Sequence, residues 1–345
     1  MERTRENTIE RVRQSLERSG FYVSDAHGIR PSSFDLAARR DSTLLLVKVL
    51  KNIDALDSGE ARRLLELGAL FPATALVIGQ CSGATKLEAG VVYNRYGVPI
   101  LAEETLQEYL DKALPPFLFS SPGGIFARID GPRLRSLRES RQLSLGALAS
   151  VAGVSRRTIQ LYEDGAGAEV DVVERIESFL GEPIAIPIDI FRHVTTAVRS
   201  NREYARQEGD APLGTAKAVG GKEREHERPS TGDSLRDGVF RQLDGMGWEV
   251  VVTIRCPFDA LTRAPAEQTP SELLLTGVGS LRTAQHRAEV LHQLARVTEG
   301  HALFVVRDSL TRTSVDGMPI VTVTELRRRR DRDELLDLIT EREGS

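Results

Sequence analysis

Residues 131–165 read GPRLRSLRESRQLSLGALASVAGVSRRTIQLYEDG, and the spacing of apolar residues in this stretch decides the architecture. Leu134 and Leu137 give a first helix its apolar face. Ser144 is placed to cap a second helix whose inward residues are Leu145, Leu148 and Ala149, because a serine hydroxyl accepts one of the orphan N–H groups at a helix start. Gly153 can take the positive φ of a tight turn. Ser155 then caps a third helix, which buries Ile159 and Tyr162 and stops at Asp164-Gly165. A fourth helix follows, with Val172, Val173, Ile176, Phe179 and Leu180 as its inward set and Gly181 at its end. Two short helices joined by a four-residue turn around a glycine describe a helix-turn-helix inside a small all-α core.

The run Leu143-Ser144 through Leu148-Ala149, Gly153-Val154-Ser155, Ile159 and Tyr162-Glu163-Asp164-Gly165 resembles the Cro/phage-repressor (Xre) class of helix-turn-helix domains over about 50 residues. The resemblance implies double-stranded DNA as partner, with the third helix in the major groove and the first turns of helices two and three on phosphates. The residues it assigns to DNA are Ser144, Ser155, Arg156, Arg157, Thr158, Gln160 and Leu161. Arginine can pair with guanine, glutamine with adenine, and leucine can meet a thymine methyl. It also implies an ion pair between Arg138 and Glu163 and, as its members bind as dimers, a homodimer on two-fold-related half-sites. Seven arginines and seven acids lie between Gly131 and Gly181; six of the arginines precede Leu161 and six of the acids follow it. The basic half is the part expected to face phosphates.

At 345 residues the chain is too long for one core, and 40% hydrophobic with 28% charged residues is the composition of a folded soluble protein. The net charge of −4 excludes a molecule coated in positive charge, so nucleic acid must be bound locally. The charged start, Met1-Glu2-Arg3-Thr4-Arg5-Glu6, and the absence of a long apolar run predict a cytoplasmic protein without a membrane span. Cys81 and Cys256 are expected to be buried and unpaired, and the scattered histidines, His286, His292 and His301 included, lack metal-ligand spacing. Neither a metal nor a cofactor is expected.

Composition divides the chain at a break, Phe119-Ser120-Ser121-Pro122-Gly123-Gly124, and at a polar linker over 192–231. The expected domains are 1–119, 125–191 and 232–345. The outer two share six landmarks in order. Each has an opening helix (Ile9, Val12, Leu16; Leu235, Val239, Leu243), then Gly20-Phe21-Tyr22-Val23 or Gly247-Trp248-Glu249-Val250, then Phe34-Asp35 or Phe258-Asp259. A Leu-rich strand follows (Leu44 to Val47; Leu273 to Thr276), then Ala75-Leu76-Val77-Ile78 or Ala302-Leu303-Phe304-Val305, and last Gly97-Val98-Pro99-Ile100 or Gly317-Met318-Pro319-Ile320. The expected fold class is multidomain: two duplicated α/β sheet domains flanking a four- to five-helix helix-turn-helix domain. The Arg327 to Arg330 run is read as the solvated face of a terminal helix whose apolar positions are Leu326, Leu335, Leu336 and Ile339.

Asp35 followed by Leu44-Leu45-Leu46-Val47-Lys48 resembles the PD-(D/E)xK nuclease core, in which an Asp, an acidic residue two before a Lys, and that Lys hold a metal and activate water. Here the acidic position is Leu46; in the second copy Asp259 remains, with Leu275 and Gly277 at the other two positions. A lone carboxylate is too few ligands for a divalent ion. The outer domains are therefore read as degenerate nuclease-like domains without catalytic residues, and the protein as no enzyme. The whole chain resembles the helix-turn-helix transcriptional regulators found in archaea, which implies regulation by operator binding. Two rival readings are a DNA-processing enzyme that recruits a further acid such as Glu10, and an antitoxin-like protein whose outer domains bind a protein partner.

Overall fold

The computed structural model describes residues 4–25, 32–191, 233–264, 272–307 and 312–343; the expected linker, 192–231, lies outside them. In chain order, α1 (Arg5–Arg18) is followed by β1 (Tyr22–Asp25), β2 (Leu36–Arg40), β3 (Thr43–Asn52), α2 (Ser58–Leu70) and β4 (Thr74–Ser82). Next come β5 (Thr85–Lys86), β6 (Val91–Arg95), β7 (Val98–Ala102) and α3 (Glu103–Lys112). The middle of the chain forms β8 (Leu118–Ser121), β9 (Gly124–Ala127), α4 (Gly131–Ser140), α5 (Leu145–Ala152), α6 (Arg156–Glu163), β10 (Ala168–Glu169) and α7 (Val170–Leu180). The remainder holds α8 (Ser234–Gly245), β11 (Glu249–Val252), β12 (Ala260–Arg263), β13 (Leu273–Gly279) and α9 (Leu281–Thr298). It closes with β14 (His301–Val306), β15 (Ser314–Val315), β16 (Met318–Thr322), α10 (Val323–Arg327) and α11 (Arg332–Glu343).

These elements form two compact units. The first takes its described residues from Met1–Ser19, Val47–Leu70 and Thr74–Ala197, and the second from Gly20–Leu46, Phe71–Ala73 and the chain beyond Val198. Strand β3 passes from the second to the first at Leu46-Val47.

In the first unit, Ala75, Leu76, Val77 and Ile78 of β4 are all buried, as expected of a strand covered on both faces. Strand β4 runs parallel to β7, with Val77 opposite Ile100. Helix α1 buries Ile9, Val12 and Leu16 at helical spacing and is joined to α3 by a bidentate pair, Arg11 to Glu103, at 2.6 and 2.7 Å.

The expected break at Phe119–Gly124 falls at the tip of a hairpin. Leu118 to Ala127 form the hairpin β8–β9, with β8 parallel to β6 through Val91↔Leu118 and Val92↔Phe119. Strand β9 then pairs with β10, which lies between α6 and α7 (Ala168↔Ala127, Glu169↔Phe126). One sheet thus continues from the α/β core into the helical domain. The helical domain closes around Leu134, Leu148, Ala152, Ile159, Tyr162, Val172, Ile176 and Leu180. Phe179, expected among the inward residues, is 46% exposed; it stands at the edge of the stripe formed by Val172, Ile176 and Leu180, about a sixth of a turn from its centre.

The second unit packs α8, α10 and α11 on β13, β14 and β16, around Phe240, Trp248, Leu274, Leu303, Leu335 and Ile339. Strand order in this sheet is β11-β12-β13-β14-β16-β15, and in the other sheet it begins β1-β2-β3-β4-β7-β6. The hairpin turns also correspond: Tyr96-Gly97 precedes β7 and Asp316-Gly317 precedes β16, all four residues with positive φ, as a two-residue turn of this hand requires. The Arg327 to Arg330 run does not lie on one terminal helix. Helix α10 ends at Arg327 and α11 starts at Arg332, with the Asp331 carboxylate accepting from the Glu334 N–H between them. Cys256 is buried as expected, whereas Cys81 is partly exposed, its thiol on the Lys51 carbonyl.

Candidate nucleic-acid interface

The turn between α5 and α6 is fixed by three local devices and one long-range contact. The Ser144 hydroxyl accepts from the Ala147 N–H at 3.1 Å and starts α5. Gly153, at φ +71°, ends α5 in the left-handed region. The Ser155 hydroxyl accepts from the Thr158 N–H at 3.1 Å and lies 2.8 Å from the Thr158 hydroxyl, which starts α6. The Arg175 guanidinium reaches from α7 to donate twice to the Ala152 carbonyl, at 3.0 and 2.9 Å, closing the last turn of α5.

Beneath the turn, Glu163 at the end of α6 is tied to α4. Arg138 donates Nε to Oε1 at 2.5 Å and Nη2 to Oε2 at 3.1 Å, and Arg135 adds a bond at 3.2 Å. The Arg138 and Glu163 side chains are 12% and 3% exposed, so the carboxylate is buried and the guanidinium largely covered. Burial alone would raise the Glu163 carboxyl, but hydrogen bonds from Arg138 and Arg135, with their charges, outweigh it and hold the group below the ordinary carboxylate range. The bond to Glu163 raises Arg138 in turn. The start of α4 sits so close that a Cβ on Gly131 would stand 2.4 Å from the Glu163 carbonyl oxygen. Helix α6 is therefore held at both ends.

What α6 leaves outward is Arg156, Arg157, Gln160 and Leu161, the last 47% exposed; Thr158 is half-buried. The Arg156 guanidinium lies over the first turn of α5, near Gly146, where a Cβ would meet its Nε at 2.8 Å. The residues singled out from sequence thus gather at the start of α5 and along the first two turns of α6, with the Ser144 and Ser155 hydroxyls serving as caps.

The reading of the whole basic half as a phosphate face is too broad. Arg133 binds Glu182 and the Pro183 carbonyl, Arg135 and Arg138 bind Glu163, and Arg141 binds the Phe179 and Leu180 carbonyls. With Arg175 on Ala152, five of the seven arginines hold the domain together. Among the described residues, Arg156 and Arg157 make no ion pair within the chain. The role of Arg175 was not legible, because its partner lies 23 residues away and no spacing rule links them.

The nuclease-like positions do not suit a metal. Asp35 and Lys48 are buried, but the residue two before Lys48 is Leu46, also buried. In the second copy Asp259 accepts from the Val278 N–H at 2.8 Å and from Arg236 and Arg287 at 3.0 and 3.4 Å. At Gly277, the lysine position, a Cβ would collide with the Phe304 ring at 2.4 Å. Among the described residues no group of three His, Cys, Asp or Glu side chains could hold a metal. Glu10 is engaged on the face of α1 by Arg13, at 2.7 and 2.9 Å. Among the described residues no helix is long and apolar enough to cross a membrane.

Comparison with known proteins gives two family matches. Residues 5–116 match the PD-(D/E)XK superfamily domain, and residues 131–185 match a helix-turn-helix domain. Full-length relatives include a protein of Natronomonas pharaonis, 36% identical over 340 residues that cover 98% of this chain and 99% of that one. Another, from Methanocella arvoryzae, is 35% identical with 99% and 97% covered, and one from Halobacterium salinarum is 36% identical with 98% of each covered. Each bears the name "Putative HTH-type transcriptional regulatory protein". No solved structure matches the chain significantly.

Proposed function

The chain belongs to this archaeal family of HTH-type transcriptional regulatory proteins, and we propose from that premise that it regulates transcription by binding operator DNA through α5 and α6. The observation that carries the reading is the outward face of α6, where Arg156, Arg157, Gln160 and Leu161 stand exposed on a helix anchored at both ends. Arg157 and Gln160 read base edges, and Arg156 and the first turns of α5 and α6 meet phosphates. The protein acts as a homodimer on half-sites about one helical turn, or a multiple of it, apart.

Residues 232–345 are a diverged repeat of 1–119, supported by the shared strand order and the shared hairpin turn. Neither repeat cuts DNA. Support comes from Leu46, Leu275 and Gly277 at positions where metal-dependent hydrolysis needs charged groups.

Selection from a randomised duplex library tests the regulator reading. Wild type should enrich a defined sequence, and Arg157→Ala and Gln160→Ala should each relax preference at particular positions, by the ~1 to 3 kcal/mol of a good base contact. Replacing a phosphate contact would instead weaken all sequences alike and reduce the salt slope by about one. Wild type that selects no sequence would reduce the domain to a non-specific anchor. Metal-dependent cutting abolished by Asp35→Ala would overturn the non-catalytic reading.

A further inference from the structure

Gly146 is the second residue of α5, inside the helix and without a positive φ, so the backbone does not call for glycine there. Glycine in a helix is otherwise a cost, because alanine has less freedom to lose on folding. What the missing side chain leaves room for is Arg156. The three atoms that a Cβ on Gly146 would meet first are Nε, Cζ and Nη2 of that guanidinium, at 2.8, 3.2 and 3.2 Å. The contact crosses from the first residue of α6 to the start of α5, and Arg156 itself is exposed.

Gly131 and Gly146 differ in what a Cβ would strike. At Gly131 it is the backbone of Tyr162 and Glu163, whereas at Gly146 it is the far end of a flexible side chain. A methyl group on residue 146 would therefore spare the fold and move the guanidinium aside. Neither α5 nor α6 has an acid in its first turn. The charge that Gly146 admits between the two helix starts thus meets no carboxylate in either turn, and it stands on the face proposed to lie against the DNA backbone.

We infer that Gly146 is a positioning residue for DNA binding: it keeps open the seat in which Arg156 lies across the starts of α5 and α6, and so directs that guanidinium to a backbone phosphate. The inference rests on DNA binding through α5 and α6. Within that reading Gly146 acts through Arg156 and sets affinity for any sequence, while Arg157 and Gln160 set preference.

The test is fluorescence anisotropy of the full-length protein at several salt concentrations, with two probes: a duplex enriched by wild type from a randomised library, and a duplex of random sequence. Gly146→Ala should weaken binding to both alike, by about threefold to tenfold, and flatten the salt dependence by up to about one unit of slope, as loss of one phosphate contact requires. Its melting temperature should equal or exceed that of wild type, and the sequence it enriches should be the wild-type one. In an Arg156→Ala background the same substitution should change binding no further, because the side chain it displaces is gone. Wild-type affinity in Gly146→Ala, a lower melting temperature, a further loss in the Arg156→Ala background or a relaxed preference at one base position would each overturn the inference and leave operator binding standing. Wild type that binds neither duplex would overturn both.

Discussion

Glu163 concentrates much of the stability of the helical domain in one carboxylate. It accepts from two arginines of α4 while its own side chain is 3% exposed, so removing it takes from the partly buried Arg138 its main partner and leaves it the Leu143 carbonyl and the exposed Glu139. Glu163→Ala should therefore cost about 3 to 5 kcal/mol, measured by urea unfolding of the full chain at neutral pH. Its pH dependence has a definite sign. The carboxyl lies below its ordinary value in the folded state, so the stabilisation is complete above the ordinary carboxylate range and disappears as pH falls through the lowered folded value. The gap between wild type and variant should shrink on acidification; a gap that stays constant would mean the pair does not titrate with unfolding. Gly131 is constrained for a different reason. With the Glu163 carbonyl oxygen 2.4 Å from a Cβ there, Gly131→Ala pushes on backbone that cannot rotate away. A loss of about 1 to 3 kcal/mol in thermal melts is expected, and an unchanged melting temperature would show that the two helices can part at little cost.

At the scale of elements, the helix-turn-helix depends on Arg175 as well as on its own caps. Arg175→Ala removes two charge-assisted hydrogen bonds from the Ala152 carbonyl, worth about 1.5 to 3 kcal/mol together. It should also speed amide hydrogen exchange at Val154, which donates to Ala149 within the turn. Exchange as slow as in wild type would show that Gly153 and Ser155 hold the turn alone. The sequence displays the caps because they are local: Ser144, Gly153 and Ser155 act within three or four residues of themselves. The α/β landmarks were legible for a similar reason, since buried strands such as Ala75 to Ile78 are short continuous apolar runs. What was not legible depends on distant partners. Phe119–Gly124 carries turn residues and reads as a break, while the strand that continues its sheet, β10, is two residues long and has no alternation to detect. The Arg138–Glu163 pair is implied by the resemblance, but the other arginines read as a basic face, and only the fold shows Arg135 joining Glu163, Arg133 on Glu182 and Arg141 on the end of α7.

For the whole molecule, the two compact units cut across the boundaries that composition suggests. The first unit joins α1, β4, β7 and the helical domain, and the sheet running through β8, β9 and β10 gives that union hydrogen bonds as well as side-chain packing. Calorimetry of the full chain should show two transitions, with the helix-turn-helix melting together with the α1–β4–β7 core. A third, separate transition abolished by changes around Glu163 would show that the helical domain unfolds alone. The same strand pairing bears on how such regulators diversify. A genetic exchange that imported a foreign helix-turn-helix at the boundary would leave β8 or β10 without its neighbour and expose an open sheet edge, which favours aggregation. Under the proposed reading of operators by α6, new preferences in this lineage are expected to arise by point substitution along its outward face, the strands beside it remaining in place.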